Sequence, residues 1–521
     1  MVNAPPPPPP ALVAISVSNR STPFAGDRRL LTTVSPNADG FRDHALVRFT
    51  LTAPARVRLD VVRTDTAGAG KLATRVIFSK HANLVRGRNS LQWTPKRNTQ
   101  PRTYILRLTV TARGRSRVYG AYRPGGVVNA PVVRVQGIDA GFLQPSYAPG
   151  DAAQVRIGTD ATSLRVQVFA YGNQLRPTER DLRSGGRAMT QPVQLDWRAH
   201  RDAPSVVQLV RAGNWPSGIY FLRITGSDGR VGYAPFVVRP SVLGSSARVA
   251  VVLATNTWQA YNFRDENGDG WGDSWYVSGT IRSVDLTRPF LDFGVPFRFG
   301  DWDLTLIAWL AQTAKNVEFL TDADLDAIAS GDELAKNYDL IVFPGHEEYA
   351  TERTYDAVQR YRDLGGNLMF LSANNFFWKV QREGNTLTRV KLWRNLGRPE
   401  AGLVGVQYAG SNHGTIEKPF VVAGLDTAPW AFAGTGLANG SSFGSYGIEI
   451  DARGAATPPG TIVLARVPNA LGTGTDAEMT YYETPEGAKV FAAGTLDFAA
   501  SLDRPDVSRL VDNVWARLAA P

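Results

Sequence analysis

The sequence predicts a multidomain protein in which two N-terminal all-β sandwiches precede an α/β domain with a mainly parallel, doubly wound sheet. Three observations carry this. Up to about residue 240, apolar and polar residues alternate in short runs bounded by Gly and Pro, the signature of half-buried antiparallel strands. From Arg248 onward the runs become continuously apolar, as in strands covered on both faces. Stretches with helical spacing separate those runs, and strand–helix–strand alternation is what a parallel sheet requires.

Taken in order, residues 1–20 read as a proline-rich spacer, since six consecutive prolines follow Ala4 and such runs are stiff and extended. This segment lacks a basic stretch ahead of an apolar one, so it does not read as a signal peptide. A spacer of this kind fits an extracellular or cell-surface protein. Residues 21–128 form the first sandwich, with alternating runs at Ala45–Leu51, Arg56–Val62 and Thr103–Val110. Residues 129–244 form the second, with runs at Ala153–Ile157, Ser163–Phe169 and Ser217–Ile224. Residues 245–521 form the α/β domain. Its buried strands are predicted at Arg248–Ala254, Tyr338–Pro344 and Asn367–Leu371. Helices are predicted at Leu304–Gln312, Thr351–Leu364 and Leu502–Leu518, with a mostly β stretch from Gly402. The sheet is of the flavodoxin-like or glutamine-amidotransferase-like kind.

Composition excludes several chemistries. There is no cysteine, hence no disulfide, thiolate metal site or thiol nucleophile. No apolar run reaches the roughly 18 residues of a membrane span. The net charge of +10 hides an asymmetry: residues 1–244 carry 34 Lys and Arg against 13 Asp and Glu, whereas residues 245–521 carry 23 against 34. A basic half suits an anionic cell-surface polymer; equally, the two halves dock on each other or the arginines decorate solvated strands. No basic run interleaved with aromatics marks a nucleic-acid groove.

Ligands of open parallel sheets lie outside the carboxyl ends of the strands. Three strands deliver polar residues there: Asn256–Asn262, Gly345–Tyr349 and Ser372–Asn375. His346 and Glu348 are two apart, which in extended backbone points both to one side, and imidazole with carboxylate binds metal ions. Tyr261 adds a phenol from the neighbouring strand end, and hard oxygen donors favour iron(III). The competing reading is a run that only charges the start of the following helix, a role in which Glu347 is left in either case. His44, His81, His200 and His413 lack partners at ligand spacing. Trp258, Trp271, Trp275 and Trp302 cluster around the run, as core or as walls of a cleft.

Two resemblances add to this. Ser35-Pro36-Asn37-Ala38-Asp39-Gly40-Phe41-Arg42-Asp43, followed by strand, Ala53-Pro54-Ala55 and strand, is similar to the Ig-like module of flagellar hook-capping proteins, which implies a spacer or interaction domain. The order Thr257-Trp258-Gln259-Ala260-Tyr261-Asn262, Ser274-Trp275-Tyr276, Val284–Pro289, Gly345-His346-Glu347-Glu348-Tyr349, Gly365–Leu368, Ala373-Asn374 and Gly487–Phe491 resembles the C-terminal domain of the N,N-dimethylformamidase large (beta) subunit. That resemblance implies an iron-dependent amidohydrolase acting on a small amide or formamide. The implied iron ligands are Tyr261, His346 and Glu348, and the implied catalytic residues are Asn374 and Glu483, with Glu478 as the alternative. The family's small subunit has no counterpart here.

The loop after Asn262 is acidic. Asp265, Asn267, Asp269 and Asp273 match the first part of a calcium loop, but Tyr276 stands where its closing glutamate belongs. A different class of function also fits two sandwiches, a proline spacer and an arginine-rich half: a non-catalytic secreted protein that binds carbohydrate or another polymer.

Overall fold

The alternating runs of the first 240 residues pair into two β-sandwiches. The computed structural model describes residues 10–67, 71–120, 128–171, 186–276 and 279–520; most of the proline run lies outside them. In the first sandwich, strands Leu12–Ser18, Ala45–Leu51 and Gly87–Trp93 form one sheet. Leu31–Val34, Val132–Val135, Thr103–Ala112, Ala55–Ala67 and Lys71–Leu84 form the other, in that order. Leu12–Ser18 is thus an edge strand, antiparallel to Ala45–Leu51, inside the stretch expected to be spacer: a register shift between Val13 and Ser16 lets both Leu12 and Val17 bury. Val47, Val57, Leu59, Leu106 and Leu108 fill the core between the sheets.

The second sandwich stacks Asp139–Phe142, Ala152–Gly158 and Ser205–Arg211 on a sheet built around Ser163–Ala170, Gly218–Gly226 and Val231–Val238. Several arginines hold the two sandwiches together. Partly buried Arg230 pairs with Asp160 and Asp228 and donates to the Ser35 hydroxyl at 2.8 Å. Ser35 donates to Asp160 at 2.6 Å, and Arg201 reaches Asp39 at 2.9 Å. Part of the basic excess is therefore interdomain structure.

The remaining residues centre on a nine-stranded sheet. Its strands are β1 (Val249–Leu253), β2 (Glu318–Thr321), β3 (Leu340–Phe343), β4 (Asn367–Phe370), β5 (Lys418–Val422), β6 (Ser442–Tyr446), β7 (Ile462–Val467), β8 (Ala477–Glu483) and β9 (Lys489–Ala492). They are arranged β2-β1-β3-β4-β9-β8-β7-β5-β6. The β2-β1-β3-β4-β9 part is parallel; every pairing from β9 to β6 is antiparallel. This corrects the expectation of a mainly parallel, doubly wound sheet: the sheet is mixed, and strand outweighs helix. The reason lies after Gly402, where strands joined by turns and loops supply half the sheet, and antiparallel neighbours need no helical crossover. The helices of this part include α1 (Thr255–Ala260), α2 (Thr305–Gln312), α3 (Glu352–Asp363) and α4 (Pro505–Leu518). The sheet's two faces carry separate apolar clusters. One of them, around Val251, Leu306 and Phe420, also takes in Tyr171, Phe221 and Tyr233 from the second sandwich. Among the described residues no helix is long and apolar enough to cross a membrane.

Candidate active site

β1 ends at Leu253 and turns directly into α1, whose C-cap is Tyr261. β3 ends at Phe343 and runs into Gly345, where a Cβ would lie 2.8 Å from an Asp303 oxygen and push that side chain aside. The backbone then stays non-helical through Glu348, and α3 does not begin until Glu352. β4 ends at Phe370 and leads to Asn374, which sits at φ +58°, a conformation asparagine tolerates better than most residues. The three strand ends bring Tyr261, His346, Glu348 and Asn374 together, each at most 5% exposed.

The Tyr261 phenol donates to a Glu348 carboxylate oxygen. His346 Nε2 lies 3.7 Å from the same carboxylate and 3.4 Å from that of Glu449. Asn374 Nδ2 donates to Glu449 at 2.8 Å, and its backbone N–H donates to Asp451 at 2.9 Å. Aromatic rings wall the group: Trp302 meets His346 at 5.3 Å between centroids, Tyr261 meets it at 5.4 Å, and Trp275 packs on Tyr349 at 4.9 Å.

Charge is poised accordingly. Burial pushes the Glu348 carboxyl up to about 7 against the pull of His346. Burial and the Glu348 charge hold the Tyr261 phenol well above its ordinary value. Tyr349 is a second phenol held up by burial and bonded to Glu348. Burial also works against ionisation of Glu449, but His346 and the Asn374 amide outweigh it and hold that carboxyl below its usual value. Burial disfavours the imidazolium of His346; Glu449 and Glu348 more than offset this and raise it.

Both ring nitrogens of His346 and Asn374 Oδ1 are buried without a hydrogen-bond partner. Buried polar atoms are mostly paired; these are among several here that are not, and at this group they leave donors and acceptors open to a guest. Among the described residues, no three His, Asp or Glu side chains group closely enough to hold a metal; a metal here needs Tyr261 beside His346 and Glu348. Phenol, carboxylate and imidazole are the donors that suit iron(III), so the residues present fit that ion.

Glu483 does not join them. It ends β8 opposite Lys489, the first residue of β9, and so lies at the other edge of the sheet. There it accepts from Tyr481 and from Arg517 and is half-exposed. Glu478 lies nearer but is held by Arg453 at 3.0 Å. The acidic residue that faces His346 and Asn374 is Glu449, on strand Glu449–Ala452 paired with Gln407–Ser411; only its place in a Ser445-Tyr446-Gly447-Ile448-Glu449 turn into strand hints at it in the sequence. Glu347, expected to charge a helix start, points away from His346. It is buried beside Asp322, and burial together with that neighbour holds its carboxyl well above the usual range.

The acidic loop turns its acceptors onto its own amides. Asp265 takes Gly268 N–H at 2.6 Å and Gly270 N–H at 2.8 Å, and Asp273 takes Glu266 N–H at 2.7 Å. The loop docks on the first sandwich: Trp271 enters a cluster of Val62, Ile105 and Ala130, and the Thr64 hydroxyl donates to Gly270 C=O at 2.6 Å.

Fold and site together define a class: a multidomain β-rich protein with a buried His–Glu–Tyr group at the carboxyl ends of parallel strands. Residues 184–512 match the family model described as N,N-dimethylformamidase beta subunit-like, C-terminal, and the chain belongs to that family. The N,N-dimethylformamidase beta subunits of Paracoccus aminophilus and of an Alcaligenes species are each 25% identical to it, over 399 and 400 residues. Each alignment covers 57% of this chain and 52% of the relative, so the chain spans about half the length of the curated relatives it matches. Among solved structures, Salmonella alpha-2-macroglobulin reacted with methylamine aligns at 13% identity over 44% of this chain and 17% of that one, with a TM-score of 0.20, too low to mark a shared overall fold.

Proposed function

We propose that this chain is a hydrolase of small amides or formamides that works with iron(III) held by Tyr261, His346 and Glu348. The observation that supports it most is the meeting of those three buried side chains around unpartnered His346 nitrogens. The names of the relatives point to the same substrate class.

A bound iron(III) would supply Lewis acidity toward the amide carbonyl and toward water. The chain's own residues supply the rest. Glu449, kept ionised although buried, is the base that accepts a proton from water at its carboxylate. His346 lies 3.4 Å from Glu449 and would be neutral as a ligand. Asn374 fixes Glu449 with its amide Nδ2 and leaves Oδ1 to receive a donor from the substrate or water. The Trp302, Tyr261 and Tyr349 rings keep bulk water from the group, which strengthens each of these interactions. The calcium expected at Asp265, Asn267, Asp269 and Asp273 and the export of the protein stay proposals on the sequence. So does an anionic polymer as partner of the basic half.

The test is elemental analysis and dimethylamine release from N,N-dimethylformamide. Wild-type protein is expected to carry near-stoichiometric iron, and His346→Ala to lose most of it. Iron content unchanged by His346→Ala, or turnover that survives Glu348→Ala, overturns the reading.

A further inference from the structure

Exposure within the candidate site is uneven. The His346 side chain is fully buried and that of Glu348 is 6% exposed, whereas that of Glu449 is 13% exposed. The group thus meets solvent at Glu449, on the strand paired with Gln407–Ser411. That partner strand brings one further polar group to the same place, the phenol of half-buried Tyr408.

Register fixes the side to which Tyr408 turns. It lies directly opposite Asp451 across the antiparallel pair, and directly opposed residues share a face. Glu449 is two residues from Asp451 and so lies on that face as well. Both carboxylates belong to the site: Asp451 accepts from the Asn374 backbone N–H at 2.9 Å, and Glu449 from Asn374 Nδ2 at 2.8 Å. Tyr408 is therefore on the face that looks toward Asn374 and His346.

Its ring is held there. Phe377 packs on it at 4.9 Å between centroids, and Arg394 donates to the Tyr408 carbonyl at 3.0 Å. Phe377 is itself tied to the site, since its N–H donates to the Glu348 carbonyl at 3.1 Å. The Tyr408 hydroxyl, by contrast, has no hydrogen-bond partner among the described residues. Burial and the charges of Glu449, Glu348 and Asp451 hold this phenol above its ordinary value, so at neutral pH it keeps its proton and has it free to donate.

We propose that Tyr408 is a substrate-binding residue of this site, whose hydroxyl donates to the carbonyl oxygen of an amide lying beside Glu449 and whose ring, with that of Phe377, covers the amide's alkyl groups. The proposal deepens the amide-hydrolase reading and rests on it for the identity of the ligand.

The test uses the full chain and N,N-dimethylformamide as the probe, with circular dichroism and iron content as checks that fold and metal are kept. Tyr408→Phe loses only the donor and is expected to raise KM roughly three- to tenfold. Its kcat should stay within about twofold of wild type, the pattern left when binding is lost equally from ground and transition states. Tyr408→Ala, which loses the ring as well, should raise KM further. Saturation-transfer NMR on the chain carrying Glu449→Gln, with and without Tyr408→Phe, reads amide binding apart from turnover and should show the same weakening. A KM within about twofold of wild type in folded Tyr408→Phe overturns the contact and leaves the hydrolase reading intact. Loss of iron in that variant also overturns it, because a residue that only binds substrate would not move the metal. Absence of turnover by wild type, with amide binding still weakened by Tyr408→Phe, defeats the hydrolase reading and leaves the contact standing. Amide binding that is the same with and without Tyr408→Phe defeats the contact whatever the turnover.

Discussion

Replacing Trp271 by alanine tests whether the first sandwich holds the loop that follows Tyr261. The indole is 7% exposed and packs against Val62, Ile105 and Ala130, which are nearly inaccessible. Its Nε1 has no partner, so the loss is one of packing alone, and truncating a buried tryptophan costs about 3–5 kcal/mol. The loop keeps its internal bonds, from Gly268 and Gly270 to Asp265 and from Trp271 N–H to Asp269 at 2.8 Å. What fails first is therefore docking, a local opening whose free energy amide exchange reads directly. At about 1.4 kcal/mol per decade, the Gly268 and Gly270 amides should lose roughly 10²- to 4 × 10³-fold in protection, while amides in β3 keep theirs. A loss of less than about tenfold would refute the argument that this tryptophan ties the site's loop to the sandwich.

Three other contacts give further expected outcomes. Glu449→Gln keeps shape but removes the base, so amide turnover should fall by roughly 10²- to 10⁴-fold with iron content retained; turnover close to wild type would show the base to lie elsewhere. Buried Glu318 accepts from Tyr338, Ser246 and Gly244, donors that outweigh burial and hold its carboxyl below the ordinary 4.5. A depressed carboxyl contributes stability that is present above its unfolded value and lost as pH falls through the folded one. Glu318→Gln should thus destabilise by about 1.5–3 kcal/mol at pH 7, with the gap narrowing below pH 4.5 in urea titrations. A gap that widens in acid would contradict the sign. Arg230→Met leaves Asp160, which is fully buried, without its counter-charge and should cost about 3–5 kcal/mol, read as a lower urea midpoint. An unshifted midpoint would mean the arginine is ornamental.

The parallel half of the sheet was legible because Val249–Leu253, Leu340–Phe343 and Asn367–Phe370 are continuous apolar runs buried on both faces. Residues at their carboxyl ends could be placed in one neighbourhood for the same reason. The antiparallel half was not, since a short alternating run does not say which neighbour it joins. Glu483 illustrates this: it follows an apolar run just as His346 does, but its strand points the other way, and its end lies at the opposite edge. Glu449 escaped notice because its approach to His346 depends on a pairing with Gln407–Ser411, some 40 residues earlier, after a left-handed turn at Ile448. No local pattern encodes that.

The second sandwich lends Tyr171, Phe221 and Tyr233 to the same core as Val251 and Phe420. A cut at the Arg239–Ser246 linker, where the sequence invites one, would bare aromatic surface on both pieces. The two therefore share one core: the sheet without its sandwich would expose the apolar face that Tyr171, Phe221 and Tyr233 cover. The family match runs from residue 184 to 512 and so takes in strands Ser205–Arg211, Gly218–Gly226 and Val231–Val238 of that sandwich together with the sheet. The first sandwich holds the docked acidic loop but, among the described residues, lends no side chain to that shared core.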